Sequence, residues 1–278
     1  MLSVSQITEW QDTGGLLVQG LFSNSEVSSI AKHFDKMRKK FVKNLKNPLR
    51  NEDYEEGDPL IEFPRILQPH HNDKMALEWV LDQKLKECMT QFLGITPYAV
   101  QTMYYFKPPQ SRGQALHQDQ FFLRVKPGTC LAAWMAIDHS DEDNGCLQIV
   151  PGSHDWPILC TKEADPKTSF TDIEVEIPKH YKTKSIQMKP GDVFFFNGWL
   201  VHGSLPNKSW DRFRRSMIGH YIVGEAKECF EWYKPIYTFN GEVIKMKDAS
   251  AGGKCGVWVD HDGAPNLEMR PEVRINKI

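Results

Sequence analysis

The residues best suited to chemistry are His117 and Asp119, in His117-Gln118-Asp119, and His202, in Val201-His202-Gly203-Ser204. Two imidazoles and a carboxylate can occupy one face of an Fe(II) ion and leave the opposite face open to a co-substrate and O₂. A His-x-Asp tripeptide alone is weak, and the chain has three, beginning at His71, His117 and His139. His71 leads into the apolar run Met75, Leu77, Val80, Leu81 and Leu85, so Asn72 or Asp73 reads as a helix N-cap. His139 opens the polar run Ser140 to Gly145, which reads as a turn. His117 alone follows a strand-like stretch, Tyr98 to Phe106, that passes a connection rich in Pro and Gly and resumes at Ala115-Leu116. On an extended chain residues i and i+2 project to the same side, so His117 and Asp119 can converge on one ion.

His202 lies 85 residues after His117, room for several strands between them. It follows the turn Lys189-Pro190-Gly191-Asp192 and the apolar run Val193-Phe194-Phe195-Phe196, so it reads as the end of a buried strand, with Gly203 allowing close approach. Just beyond lies Arg212-Phe213-Arg214-Arg215. Arginine pairs bidentately with carboxylates, so one inward arginine here could anchor an acidic co-substrate. The other two are expected at a solvated edge. His154, in Pro151-Gly152-Ser153-His154, reads as part of a bracing turn. His220, alternating with apolar residues in Met217 to Val223, reads as a core or rim histidine.

The elements that must hold these residues are legible in outline. Gly15 to Leu21 reads as a short strand, and Ser23-Asn24-Ser25-Glu26 as a capping box. A helix follows through Val27, Ile30, Phe34 and Met37 to the basic end Arg38-Lys39-Lys40, where the cations complement the helix dipole. Residues 47–70 read as a polar irregular stretch able to close over a substrate. A second helix is expected from about Lys74 to Phe92, stopping at Gly94, with strands from Tyr98 onward. Residues 155–170 are expected as an insertion near the mouth of the strand core. Ala251-Gly252-Gly253-Lys254 reads as a hinge before a loosely packed tail.

From Gln101 to Val223 the chain resembles the phytanoyl-CoA dioxygenase family of Fe(II)/2-oxoglutarate oxygenases. Four stretches carry the likeness: Tyr105-Phe106-Lys107-Pro108-Pro109; His117-Gln118-Asp119; Asn144-Gly145-Cys146-Leu147-Gln148-Ile149-Val150-Pro151-Gly152-Ser153-His154; and His202-Gly203-Ser204 through Asn207 to Phe213-Arg214. The resemblance implies a mainly β chain with a double-stranded β-helix core, a jelly roll of the cupin kind, flanked by N-terminal helices. It implies one domain over 1–278: a helical flank at about 1–95, a core at about 96–225 and an extension at about 226–278. Iron would be held by His117, Asp119 and His202. 2-Oxoglutarate would be held by Arg214, with Ser204 and Trp134 lining its pocket. The spacing from His202 to Arg214 is 12, one more than the family pattern, which leaves Arg215 or Arg212 open as the anchor. Relatives that halogenate carry Gly or Ala where Asp119 stands, so the likeness favours hydroxylation of a small molecule with release of succinate and CO₂. Tyr104, Phe121 and Trp199 are candidates for an apolar substrate pocket. Two alternatives stay open: a metal-binding jelly roll without oxygenase activity, and an oxygenase giving desaturation or ring chemistry.

Composition agrees with one large β-rich domain: 278 residues, 40% hydrophobic and 25% charged. A formal charge of −2 gives no reason to expect nucleic acid as a partner. No apolar run approaches the roughly 20 residues needed to span a bilayer. The N-terminal residues show no signal-peptide pattern, so a cytoplasmic protein is expected. Its six cysteines show no CxxC pair and are expected to be reduced. Oligomeric state is not legible.

Overall fold

In the N-terminal part, apolar residues recur every three to four positions and polar caps mark the ends, so helices form there. A computed structural model describes residues 1–44, 57–250 and 252–271. Helix α1, Val4–Thr13, was not anticipated; Ser3 and Gln6 cap it reciprocally. Helix α2, Asn24–Asn44, opens on the expected box, with the Glu26 amide donating to Ser23 Oγ at 3.3 Å and the Ser23 amide to the Glu26 carboxylate at 2.8 Å. The single helix expected from Lys74 is two, α3 (Lys74–Val80) and α4 (Gln83–Leu93). Asp73 caps the first; Asp82 stops it and caps the second by accepting from the Lys84 amide at 2.8 Å. Gly94, left-handed at φ 73°, ends the pair.

Nine strands build the core: β1 Gly15–Val18, β2 Tyr98–Tyr105, β3 Gln114–His117, β4 Cys130–Ala136, β5 Leu147–Ile149, β6 Lys184–Ile186, β7 Val193–Asn197, β8 His202–Ser204 and β9 Ser216–Ile222. The larger sheet runs β1-β7-β4-β9-β2 and continues through Ile236–Tyr237 and Val243–Ile244, with Ile66–Leu67 paired on β2. The smaller runs β3-β8-β5-β6, and every pairing in both is antiparallel. Together they form the expected jelly roll.

The larger sheet is covered on both faces. Its helical side packs Leu131, Ala133, Met135, Met217 and Tyr221 against Phe34, Trp79 and Met89. Its inner side sets Tyr105, Trp134, Phe194, Phe196 and Ile218 against Leu147, Ile149 and Ile186 of the smaller sheet. Tyr104 falls on the helical side, fully buried and stacked on Phe34 at 4.1 Å. This corrects its assignment to a substrate pocket: strand alternation turns Tyr105, not Tyr104, toward the interior.

Other segments also depart from expectation. Residues 47–56 lie outside the described residues. Beyond them the chain is ordered as a short helix, Pro59–Glu62, the strand on β2 and a 3₁₀ turn at Pro69–His71. Of the tail, residue 251 of the expected hinge and residues 272–278 lie outside the described residues, and the rest forms a hairpin, Lys254–His261 with Ala264–Pro271, rather than loose chain. Cys255 forms a disulfide with Cys160, so the expectation of six reduced cysteines fails for this pair; Cys88, Cys130, Cys146 and Cys229 are free and buried. The two half-cystines are 95 residues apart, and an isolated parallel bridge between Leu159 and Gly256 lies beside them. Trp258 of the hairpin packs on Trp156 and Tyr181 at 5.2 and 5.6 Å.

Candidate metal and co-substrate site

Antiparallel register places His202 directly opposite His117 across the β3–β8 pair. Gly203 makes the approach possible, because a Cβ there would stand 2.7 Å from the Gln114 carbonyl oxygen. The two rings lie 4.2 Å apart. His117 Nδ1 is 2.8 Å from the Ala115 carbonyl and His202 Nδ1 is 3.0 Å from that of Leu200. A nitrogen facing a carbonyl carries the proton, so each Nε2 keeps its lone pair for a metal.

Asp119 opens the short helix α5, Asp119–Leu123. Gln118 between the ligands is extended and fully employed: its amide donates to the Trp199 and Pro157 carbonyls at 2.8 and 3.2 Å, and its oxygen accepts from the Leu159 amide at 2.8 Å. The insertion at 155–170 therefore grips the residue between His117 and Asp119. Asp119 Oδ1 stands 3.5 Å from His117 Nε2 and 3.7 Å from His202 Nε2. Among the described residues this trio, all buried and with ligand atoms within 4.8 Å of one another, is the one group arranged to hold a metal.

A further contact escaped the sequence reading. His220, on β9, brings Nε2 to 3.0 Å from Asp119 Oδ2. Its alternation with Ser216 and Ile218 on the inner face was the available signal. Burial would raise the Asp119 carboxyl, but the field of its imidazole neighbours His202 and His220 and the hydrogen bond from His220 outweigh it and hold it well below the usual carboxylate range. Burial, helped by His117, pushes His202 down to about 4. An ionised carboxylate and a neutral imidazole are the charge states a divalent cation requires. The donor set fits such an ion.

The three arginines part company. Arg212 pairs with Asp141 at 2.6 Å, and Arg215 with Asp138 and Asp35 at 2.8 and 3.1 Å. Arg214 points inward, 1% exposed, donating to the Gly145 carbonyl at 2.9 Å and Ser216 Oγ at 3.0 Å, with its guanidinium 5.0 Å from the Trp134 ring centre. Burial pushes it down to about 10, which still leaves it charged at neutral pH. Ser204 Oγ accepts from Lys107 Nζ at 2.8 Å. Near the metal trio, Phe122 sets its ring 6.0 Å from His117, and Phe121 lies beside it at 5.2 Å. Trp199 is half-buried, while His154 braces helix α1 with Nε2 3.0 Å from the Gln11 carbonyl.

The family model described as Phytanoyl-CoA dioxygenase (PhyH) matches residues 10–216. The peroxisomal phytanoyl-CoA dioxygenase of Bos taurus is 25% identical over 282 residues, covering 88% of this chain and 83% of its own. A phytanoyl-CoA dioxygenase domain-containing protein 1 homolog of Dictyostelium discoideum is 32% identical over 55% of this chain and 57% of its own. Among solved structures, the epimerase SnoN in complex with Fe³⁺, alpha ketoglutarate and nogalamycin RO superposes with TM-score 0.65 at 16% identity, over 95% of this chain and 97% of SnoN. EctD from S. alaskensis with 2-oxoglutarate and 5-hydroxyectoine gives 0.62 at 20% identity, over 80% and 76%. At such identities these structures establish the fold.

Proposed function

Since the chain belongs to the phytanoyl-CoA dioxygenase family, we propose that it is an Fe(II)- and 2-oxoglutarate-dependent dioxygenase that hydroxylates an unactivated C–H bond of a small molecule. One O₂ and one 2-oxoglutarate would be consumed, one oxygen atom entering the alcohol and the other the succinate released with CO₂. The convergence of His117, Asp119 and His202 carries the reading. Bound iron and 2-oxoglutarate together supply the oxidising chemistry. The chain's part is to orient and to keep water out. His117, Asp119 and His202 would hold the metal, leaving its other face open. Arg214 would anchor the far carboxylate of 2-oxoglutarate, with Ser204 and Trp134 beside it. Phe121, Phe122 and Trp199 would supply an apolar border for the substrate. A cytoplasmic location, expected from sequence, is opposed by the Cys160–Cys255 bridge, a linkage that persists in oxidising compartments.

The test is anaerobic titration of the Fe(II)-loaded protein with 2-oxoglutarate, followed by the visible charge-transfer band of a chelated 2-oxo acid. The band is expected in the wild type, absent in Asp119→Ala and shifted to much higher 2-oxoglutarate concentration in Arg214→Ala. A wild type that binds iron and shows no band overturns the proposal.

A further inference from the structure

Lys107 is 4% exposed, and its ammonium stands 2.8 Å from Ser204 Oγ. Its backbone is left-handed at φ 39°, which is strained for a residue with a side chain. That turn ties it to Arg214: the Lys107 carbonyl accepts from the Arg214 amide and from Asn207 Nδ2, each at 3.1 Å. Gly145 closes the cluster. Its carbonyl accepts from Arg214 Nε at 2.9 Å, and a Cβ on it would lie 2.6 Å from Lys107 Cε. Burial and the field of Arg214 both push the ammonium well below the usual lysine range.

Among the described residues, neither Lys107 nor Arg214 is ion-paired to a carboxylate. Holding both groups charged side by side in the interior is costly unless an anion joins them. A lysine that merely supported the loop would not need to be placed beside a second cation.

We propose that Lys107 is a second cationic contact for the far carboxylate of the co-substrate, acting with Arg214 and with Ser204, which it holds in place. This rests on the 2-oxoglutarate reading above and extends it: the pair would make the protein select a dicarboxylic 2-oxo acid over its monocarboxylic analogue.

The test compares 2-oxoglutarate with 2-oxopentanoate, in which a methyl replaces the far carboxylate, by anaerobic equilibrium titration of the Fe(II)-loaded protein. Lys107→Met is expected to weaken 2-oxoglutarate about tenfold to hundredfold and to leave 2-oxopentanoate within about twofold. Lys107→Gln, which keeps a donor for Ser204, is expected to fall between and carries the same comparison if the methionine variant does not fold. Equal weakening of both ligands would make Lys107 a structural residue and overturn the assignment, as would no weakening of either. A wild type that holds both acids equally tightly would overturn the co-substrate reading itself, and this assignment with it.

Discussion

Asp119 uses its two oxygens differently. Oδ1 faces the imidazoles of His117 and His202, whereas Oδ2 is engaged by His220. A carboxylate so divided binds a metal through one atom and leaves coordination positions free. His220→Leu removes the donor while keeping a large apolar side chain. Its metal dissociation constant is expected to rise about tenfold to hundredfold, with recovery in His220→Gln, measured by competition with a chelator. An unchanged constant would show that β9 packing alone orients Asp119. That His117, Asp119 and His202 would converge was legible because strand context separated His117 from the other two His-x-Asp sites. Arg214 was one of three candidates until the partners of its neighbours were known: aspartates from distant segments claim Arg212 and Arg215. His220 offered only its alternation, and Lys107 offered no signal, since their contacts with Asp119 and Ser204 span 101 and 97 residues.

Elements were read well where periodicity and caps agree, as in α2, and less well where periodicity runs through a break. Leu77, Val80, Leu81 and Leu85 form one apolar stripe, and that stripe concealed the stop at Asp82. Asp82→Ala is expected to cost about 1 kcal/mol, seen as a lower urea midpoint at unchanged slope. A loss near zero would mean that α4 is held by its buried face alone. The two-sided burial of β2 explains the Tyr104 error. Where both faces of a strand are apolar, alternation says which residues share a face but not which face looks inward.

Across the whole molecule, acid sensitivity follows from histidines buried neutral. Burial, with His71 beside it, lowers His70 to about 3, and its Nδ1 lies 2.7 Å from Thr102 Oγ1. The unfolded chain, with an ordinary imidazole near pH 6.5, takes up this proton first. Stability is therefore complete above that pH and is expected to fall as pH drops from there toward 3, by up to about 1.4 kcal/mol per unit for this group. Thermal melts at descending pH should show the decline, and His70→Gln should flatten it. A His70→Gln slope equal to the wild type would assign the sensitivity elsewhere.

The disulfide and the isolated bridge between Leu159 and Gly256 hold the C-terminal hairpin against residues 157–160, and those same residues grip Gln118 between His117 and Asp119. The family match stops at residue 216, short of both His220 and the hairpin. A protein trimmed to the matched span would keep His117, Asp119 and His202 in its sequence and lose two supports that aim them. The hairpin thus works as a tether from residue 255 to the His-x-Asp motif, through which a cut far along the chain reaches His117 and Asp119 without removing either.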